Sequence, residues 1–171
     1  MAATVVTTTY DSVTDTTALT CTLASLATSS TLLVGRESTA ITNVSNLYVD
    51  AILSGRITTG TTPTAGIIEV WVYAVSKHVA STPTYPSPVT GTDAAITFVA
   101  ETKQRLYLLD SMVTNATSDQ PYDIRPRSLV ELCGYMPIKW GAFATHSTVV
   151  TLNATAGNHW LHYQGLKFTN T

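Results

Sequence analysis

The histidines are the residues of this 171-residue chain best suited to metal binding or proton transfer, and two of the four lie in the stretch GNHWLHYQG. His159 and His162 are three positions apart, a spacing that joins them on a helix but separates them onto opposite faces of a strand. The apolar and aromatic residues around them favour a strand, so the pair alone is a poor metal site. His146 could lie beside His162 only if their strands pair.

Asp50 and Glu69 are the two acidic residues that could face each other on adjacent strands, as glycoside hydrolysis requires. We favour the simpler interpretation, in which both are solvent-side acids on strands whose other faces are core. The chain also lacks the phosphate-binding, serine-hydrolase, zincin and paired Cys-x-x-Cys motifs. The sequence therefore predicts a protein that is not an enzyme and that holds no cofactor or metal.

The composition excludes several classes of partner. Charged residues make up only 12% of the chain and the net charge is −2, without the basic surplus of a nucleic-acid binder. No apolar run is long enough to span a membrane. A weakly charged, Thr-rich exterior suits a protein whose faces are partly covered by neighbours. We expect Cys21 and Cys133 to be buried reduced thiols rather than a disulfide.

Alternation of apolar and polar residues predicts about eight strands and an all-β, antiparallel sandwich of jelly-roll type. The predicted strands cover residues 4–10, 19–26, 46–58, 66–75, 104–113, 140–146, 148–153 and 159–168. Residues 1–17 are expected to form an extended N-terminal arm that pairs with another chain or with the shell of a larger assembly, and residues 18–171 a single domain. The proline-rich stretch 77–95 is expected to be a functional loop or to contact a neighbour.

At most one short helical turn is expected, at residues 128–134. Ser128 and Glu131 fit a capping box and Gly134 fits a helix stop, with a short strand as the alternative. In the late strand, Trp160 and Tyr163 fall on opposite faces. One of these rings should fill the core and the other should meet a neighbour.

Aromatic residues offer a candidate binding surface. Tyr48, Trp71 and Tyr73 are predicted to project from the polar faces of two neighbouring strands as an exposed strip. Such a strip serves either sugar binding or a subunit interface, and the low surface charge favours the interface. Tyr85, in the proline-rich loop, is assigned to the same interface.

Several stretches resemble a family of small virion structural proteins of tailed bacteriophages. They are GRES at 35–38, NLYVD at 46–50, GRITTGTTPTAG at 55–66, IEVWVYA at 68–74 and the later residues 140–159. The resemblance implies a β-sandwich in the virion, made in the bacterial cytoplasm, that decorates the capsid as a cement protein. Its implied partners are the major capsid protein and further copies of itself, as a homotrimer. A tail or adaptor position, or binding to host glycans, is the alternative.

Arg36 and Glu37, within GRES, have two interpretations. They could contact the capsid or a sister subunit. Alternatively, Arg36 is structural and pairs with a carboxylate at the end of the sandwich, either Glu37 or Asp50.

Overall fold

A computed structural model describes residues 6–11, 16–75, 78–79 and 82–170. Within these ranges the chain is mostly β-strand, and every strand pairing is antiparallel. The strands are β1 (Val6–Tyr10), β2 (Thr17–Ala18), β3 (Val34–Glu37), β4 (Ile41–Thr42), β5 (Asp50–Thr58), β6 (Gly66–Val75), β7 (His78–Val79), β8 (Thr82–Pro83), β9 (Ala94–Thr97), β10 (Tyr107–Thr114), β11 (Pro121–Ser128), β12 (Lys139–His146) and β13 (Trp160–Asn170). Two short helices, α1 (Ala100–Lys103) and α2 (Leu129–Cys133), and a 3₁₀ turn (Ala156–Asn158) lie between them.

The long strands form two sheets. The first has the order β1-β13-β5-β11, with β2 added to β13. The second has the order β10-β6-β12-β3-β9, with β4 added to β12, and β7 and β8 form a separate hairpin. The all-β, antiparallel architecture predicted from the sequence is therefore confirmed.

The two sheets enclose one apolar core. In β5, buried and half-buried residues alternate, as a strand with one face inward requires, and β6 contributes Ile68, Val70 and Val72 from the other sheet. The rings of Trp140 and Tyr163 meet edge to face in this core, with centroids 5.1 Å apart. The prediction that one of the two rings in the late strand fills the core is thus confirmed, and that ring is Tyr163.

A second apolar cluster covers the outer face of the second sheet. It joins Tyr73 and Phe143 from that face to Val89, Phe98 and Leu106 from the segment that precedes β10. Gly141 of β12 lies against the Tyr73 ring, where a side chain would not fit. Tyr85 and Val89 of the predicted loop 77–95 therefore pack on their own chain. Residues 77, 80 and 81 of this loop lie outside the described ranges.

Some of the predicted elements are wrong. Residues 19–26 and 148–153 are irregular, although Leu19, Leu23 and Leu152 are buried as their alternation suggested. Strand β5 begins only at Asp50, so Leu47 is exposed. Strand β11 was not predicted, because Pro121 and Pro126 argue against a strand. It lies at a sheet edge, where proline is tolerated.

The helical turn at 128–134 is confirmed. The Ser128 hydroxyl accepts a hydrogen bond from the Glu131 N–H at 3.0 Å, and Gly134 ends α2 with a φ of 78°, in the left-handed region that favours glycine. The expectation of at most one helical turn is wrong, since α1 and the 3₁₀ turn also form. Each was hidden because three or four residues are too few to establish a helical period.

The predicted N-terminal arm is only partly described. Its residues 1–5 and 12–15 lie outside the described ranges. Residues Val6–Tyr10 form β1 as predicted, but β1 pairs with β13 of its own chain rather than with another chain.

Candidate functional site

Arg36 is a structural residue whose partner differs from both predicted carboxylates. Its Nε lies 2.5 Å from Asp93 Oδ1, and its Nη2 donates to the Asp93 carbonyl at 2.9 Å. Burial alone would raise the pKa of Asp93, but hydrogen bonds from Arg36 and Thr22 hold it below its usual value. The pair ties β3 to the segment that leads into β9.

Glu37 is fully buried, so it is not available for contact with a capsid or a sister subunit. Its carboxylate accepts hydrogen bonds from the Thr90 hydroxyl at 2.6 Å and from the Gly91 N–H at 3.0 Å. Because a buried carboxylate is costly without such partners, these bonds hold the covering segment against the second sheet. Tyr85 belongs to the same cover; it is half-buried and lies edge to face with Tyr73, with ring centroids 6.1 Å apart.

The predicted strip of exposed aromatic residues is wrong. Tyr48 and Tyr73 are buried, and Trp71 is half-buried. The prediction placed them on neighbouring strands, whereas Tyr48 precedes β5 in the first sheet and the other two lie on β6 in the second. Tyr48 turns inward where Gly165 leaves room for its ring. The outer face of β6 is covered by the chain's own second apolar cluster.

The two acids considered for glycoside hydrolysis also lie in different sheets. Asp50 accepts hydrogen bonds from the Ser128 hydroxyl at 2.6 Å and the Val130 N–H at 3.0 Å, so it holds the start of α2. Glu69 lies 2.6 Å from the Nζ of Lys103. The expectation that both face solvent is wrong, because each is at most half-exposed and satisfied by a structural partner.

His146, His159 and His162 do not lie together in one site. His146 is buried in the second sheet and shares a hydrogen bond with the Thr148 hydroxyl at 2.9 Å. His159 is buried beside the first sheet, and its Nε2 lies 2.8 Å from the Asn153 carbonyl oxygen. Burial lowers the pKa of both imidazoles.

His162 lies on β13, and its Nδ1 is 2.7 Å from the Thr16 hydroxyl. It cannot pair with His146, since β12 and β13 belong to different sheets. Across the described residues, no group of three metal-ligating side chains is close enough to hold an ion. Both cysteines are free thiols, as predicted, although Cys21 is only half-buried, and burial raises the pKa of each to about 12.

An apolar surface that was not predicted from the sequence lies at the edge of the first sheet. Strand β1 is the last strand of that sheet, and its outward residues Val6 and Tyr10 are 57% and 51% exposed. Phe168, on the same face of β13, is 62% exposed, and Leu166 beside Tyr10 is half-buried. We call these four residues the β1–β13 patch. Among the described residues no strand pairs with the outer edge of β1, and β1 itself carries no charged residue that would discourage pairing there.

An apolar groove of about 400 Å³ adjoins the loop that precedes β5. Val44 and Leu47, on its rim, are 62% and 71% exposed, and Met136 and Ile138 line its wall. The loop is tied to the β1–β13 region, since the Val49 N–H donates to the Leu166 carbonyl at 2.7 Å. The sequence signal that could have identified the β1–β13 patch is the alternation along β1, which puts Val6 and Tyr10 on one face.

The comparisons with known proteins give no relative. No protein-family model, no curated protein and no solved structure matches the chain. Among the described residues, neither helix is long and apolar enough to cross a membrane.

Proposed function

We propose that this chain is a non-enzymatic structural protein of a bacteriophage particle, a capsid decoration protein that binds across capsid subunits and stabilises the head. The observation that carries the proposal is the β1–β13 patch, where exposed apolar side chains border an uncharged sheet edge. Such an edge is suited to contact with a weakly charged protein surface. The stretches GRES, NLYVD and IEVWVYA resemble phage virion proteins, and this resemblance supports the assignment to a phage particle. The homotrimer is part of the same proposal.

We further infer a jelly-roll connection of the strands. The support is the strand order: the eight strands β1, β3, β5, β6, β10, β11, β12 and β13 form the four-strand sets β1-β13-β5-β11 and β10-β6-β12-β3. A jelly roll winds two Greek keys in this alternation between facing sheets. Jelly rolls build viral capsids as well as lectin domains, so the role is argued from the surface rather than from the fold.

Copy number in purified particles tests the proposed location. A decoration protein should be present in numbers comparable with the major capsid protein. A copy number comparable with that of portal or tail-tip proteins would refute decoration of the capsid and indicate a position in the neck or tail. Absence from purified particles would refute the virion assignment.

The patch itself is tested by a charge placed on it. Phe168→Glu should lower the occupancy of this chain on undecorated capsids, because binding would then desolvate a carboxylate without a partner. The matched control is Val113→Glu, at a residue of the second sheet that is 80% exposed. Equal occupancy for both variants and the unaltered chain would refute the role of the patch.

A further inference from the structure

A polar cleft opens at the end of the first sheet where β5 and β13 pair. Its volume is about 200 Å³, and its walls include Trp160, Arg56, Asp119 and Asn158. Arg56 and Trp160 are directly paired across the two strands, so both side chains lie on the outer face of the sheet. The cleft shares no wall residue with the β1–β13 patch.

The aromatic wall of the cleft is Trp160. Its indole is half-buried and also packs against the His162 imidazole, with ring centroids 5.0 Å apart. The contact restricts rotation of the indole, because the imidazole occupies one side of it. A large, oriented aromatic ring in a small cleft provides a stacking platform for an apolar face of a ligand.

The polar wall is preorganised by Asn153. Its Nδ2 donates to Asp119 Oδ1 at 2.6 Å, and its Oδ1 accepts from Asn158 Nδ2 at 3.1 Å. One side chain therefore orients both the carboxylate and the amide. Among the described residues only Asn153 donates to the Asp119 carboxylate, so its second oxygen can accept from a ligand. Asn158 keeps its own Oδ1 for the same purpose.

Arg56 adds donors without a net positive charge. It forms two hydrogen bonds with Asp123, from Nε at 2.6 Å and from Nη2 at 3.2 Å. The guanidinium has five N–H groups, so others can donate into the cleft. Because Asp123 already neutralises Arg56 and Asp119 adds a negative charge, the cleft disfavours an anionic ligand.

From this geometry we propose that the Trp160 cleft binds a neutral hexopyranose residue of a glycan. One face of a pyranose ring carries C–H groups that can pack on the indole. Its vicinal hydroxyls both donate and accept, which matches the carboxylate, the amide and the guanidinium. The volume lies below the roughly 300–1,000 Å³ of pockets for drug-sized ligands, as a single sugar ring requires.

The proposed ligand is a glycan rather than a free sugar, because a second cleft shares Asp119 with the first. A neighbouring cleft of about 390 Å³ also has Asp119 in its wall, together with Thr61, Thr151 and Thr155. It offers room and further hydrogen-bonding groups for the next residue of an oligosaccharide. This activity goes beyond capsid decoration and does not depend on it.

The experiment measures binding of glucose, galactose and mannose, and of their neutral oligosaccharides on a glycan array. Ligand-observed NMR and calorimetry on the full chain give the affinities. At least one of these hexoses should bind in the millimolar range, and an oligosaccharide containing it should bind more tightly. Trp160→Ala should weaken binding at least tenfold, through loss of the stacking surface.

Asp119→Asn provides a second, milder variant. An asparagine at 119 still accepts from Asn153 and tolerates the φ of 54° at this position, but it lacks the carboxylate. We expect it to weaken hexose binding several-fold while the thermal midpoint is unchanged. The matched controls are Phe168→Ala, an exposed aromatic residue on the same face of β13, and Glu131→Gln, an exposed acid on α2.

Two results would overturn the proposal: no binding of any neutral hexose or array glycan, or equal binding by Trp160→Ala, Asp119→Asn and the controls. Capsid occupancy is measured on the same variants. A variant that loses sugar binding but keeps full occupancy on the capsid would show that the Trp160 cleft is separate from the decoration surface. If the chain binds sugar but is absent from virions, the decoration proposal is refuted and the sugar site is retained.

Discussion

Lys103 joins α1 to the second sheet through a nearly buried ion pair, and Lys103→Met should destabilise the fold. The Lys103 side chain is 9% exposed and that of Glu69 is 16% exposed, with Nζ and Oε2 2.6 Å apart. Nζ also donates to the Leu32 carbonyl at 2.7 Å and lies 4.7 Å from the centroid of the Trp71 ring. Methionine keeps the apolar stem and removes the charge.

Removing one partner of a buried ion pair costs about 3–5 kcal/mol, because the other charge is left without compensation. The residual exposure of Glu69 and its retained hydrogen bond from the Trp71 indole, at 2.9 Å, reduce that figure. The Leu32 carbonyl loses its donor, which adds about 1 kcal/mol. We therefore expect a loss of about 3 kcal/mol in the free energy of unfolding.

Urea unfolding followed by tryptophan fluorescence measures this loss, and the double variant Lys103→Met, Glu69→Gln tests its cause. Neutralising Glu69 removes the uncompensated charge, so the double variant should recover about 2 kcal/mol relative to Lys103→Met. The exposed pair Arg56–Asp123 is the matched control, and its truncation should have a much smaller effect. A double variant as unstable as Lys103→Met would refute the electrostatic reasoning.

Three further predictions concern packing, protonation and thiol access. Gly141→Ala should lower the free energy of unfolding by about 2–3 kcal/mol, because the new methyl group meets the Tyr73 ring. Gly157→Ala, where the methyl group enters open space, should be nearly neutral in the same urea measurement. Burial holds the pKa values of His146 and His159 below 6.5 in the folded state, so the unfolded chain takes up protons at these residues first as the pH falls. The free energy of unfolding should therefore be full above pH 6.5 and decrease below it, by at most about 1.4 kcal/mol per pH unit for each histidine. His159→Asn should flatten that slope in unfolding curves between pH 5 and 7, and an unchanged slope would contradict the assignment. The buried Cys133 thiol, with a pKa of about 12, should react with a disulfide reagent only after urea is added; rapid labelling of the native chain at this residue would be inconsistent with its burial.

The sequence predicted the elements whose signal is local. Strands β5, β6 and β13 were found because one face of each is inward, so alternation is visible without knowledge of the partner strand. Strand β12 is buried along nearly its whole length, so its buried residues do not alternate. The turn of α2 was found because its cap and its stop are fixed by neighbouring residues, Ser128 and Gly134. Strand β11 was missed because only its place at a sheet edge makes its prolines acceptable.

The site could not be predicted in the same way, because it depends on contacts between residues distant in sequence. The alternation that identified β6 also placed Trp71 and Tyr73 on an outer face, and nothing local shows that residues 84–106 cover it. Arg36 is paired with Asp93, 57 positions away, rather than with a nearby acid. The Trp160 cleft likewise combines residues from β5, β13 and two loops.

The pairing of β1 with β13 has a consequence for folding during synthesis. Thr7 and Thr169 share a hydrogen bond 162 positions apart along the chain. Strand β13 lies between β1 and β5, so the first sheet lacks this central strand until residues 160–170 have left the ribosome. Until then β1 and β5 carry unpaired edges, and such non-local pairing forms slowly. The chain should therefore gain its native tryptophan fluorescence only after β13 has left the ribosome, and ribosome-bound chains that lack β13 should be sensitive to protease.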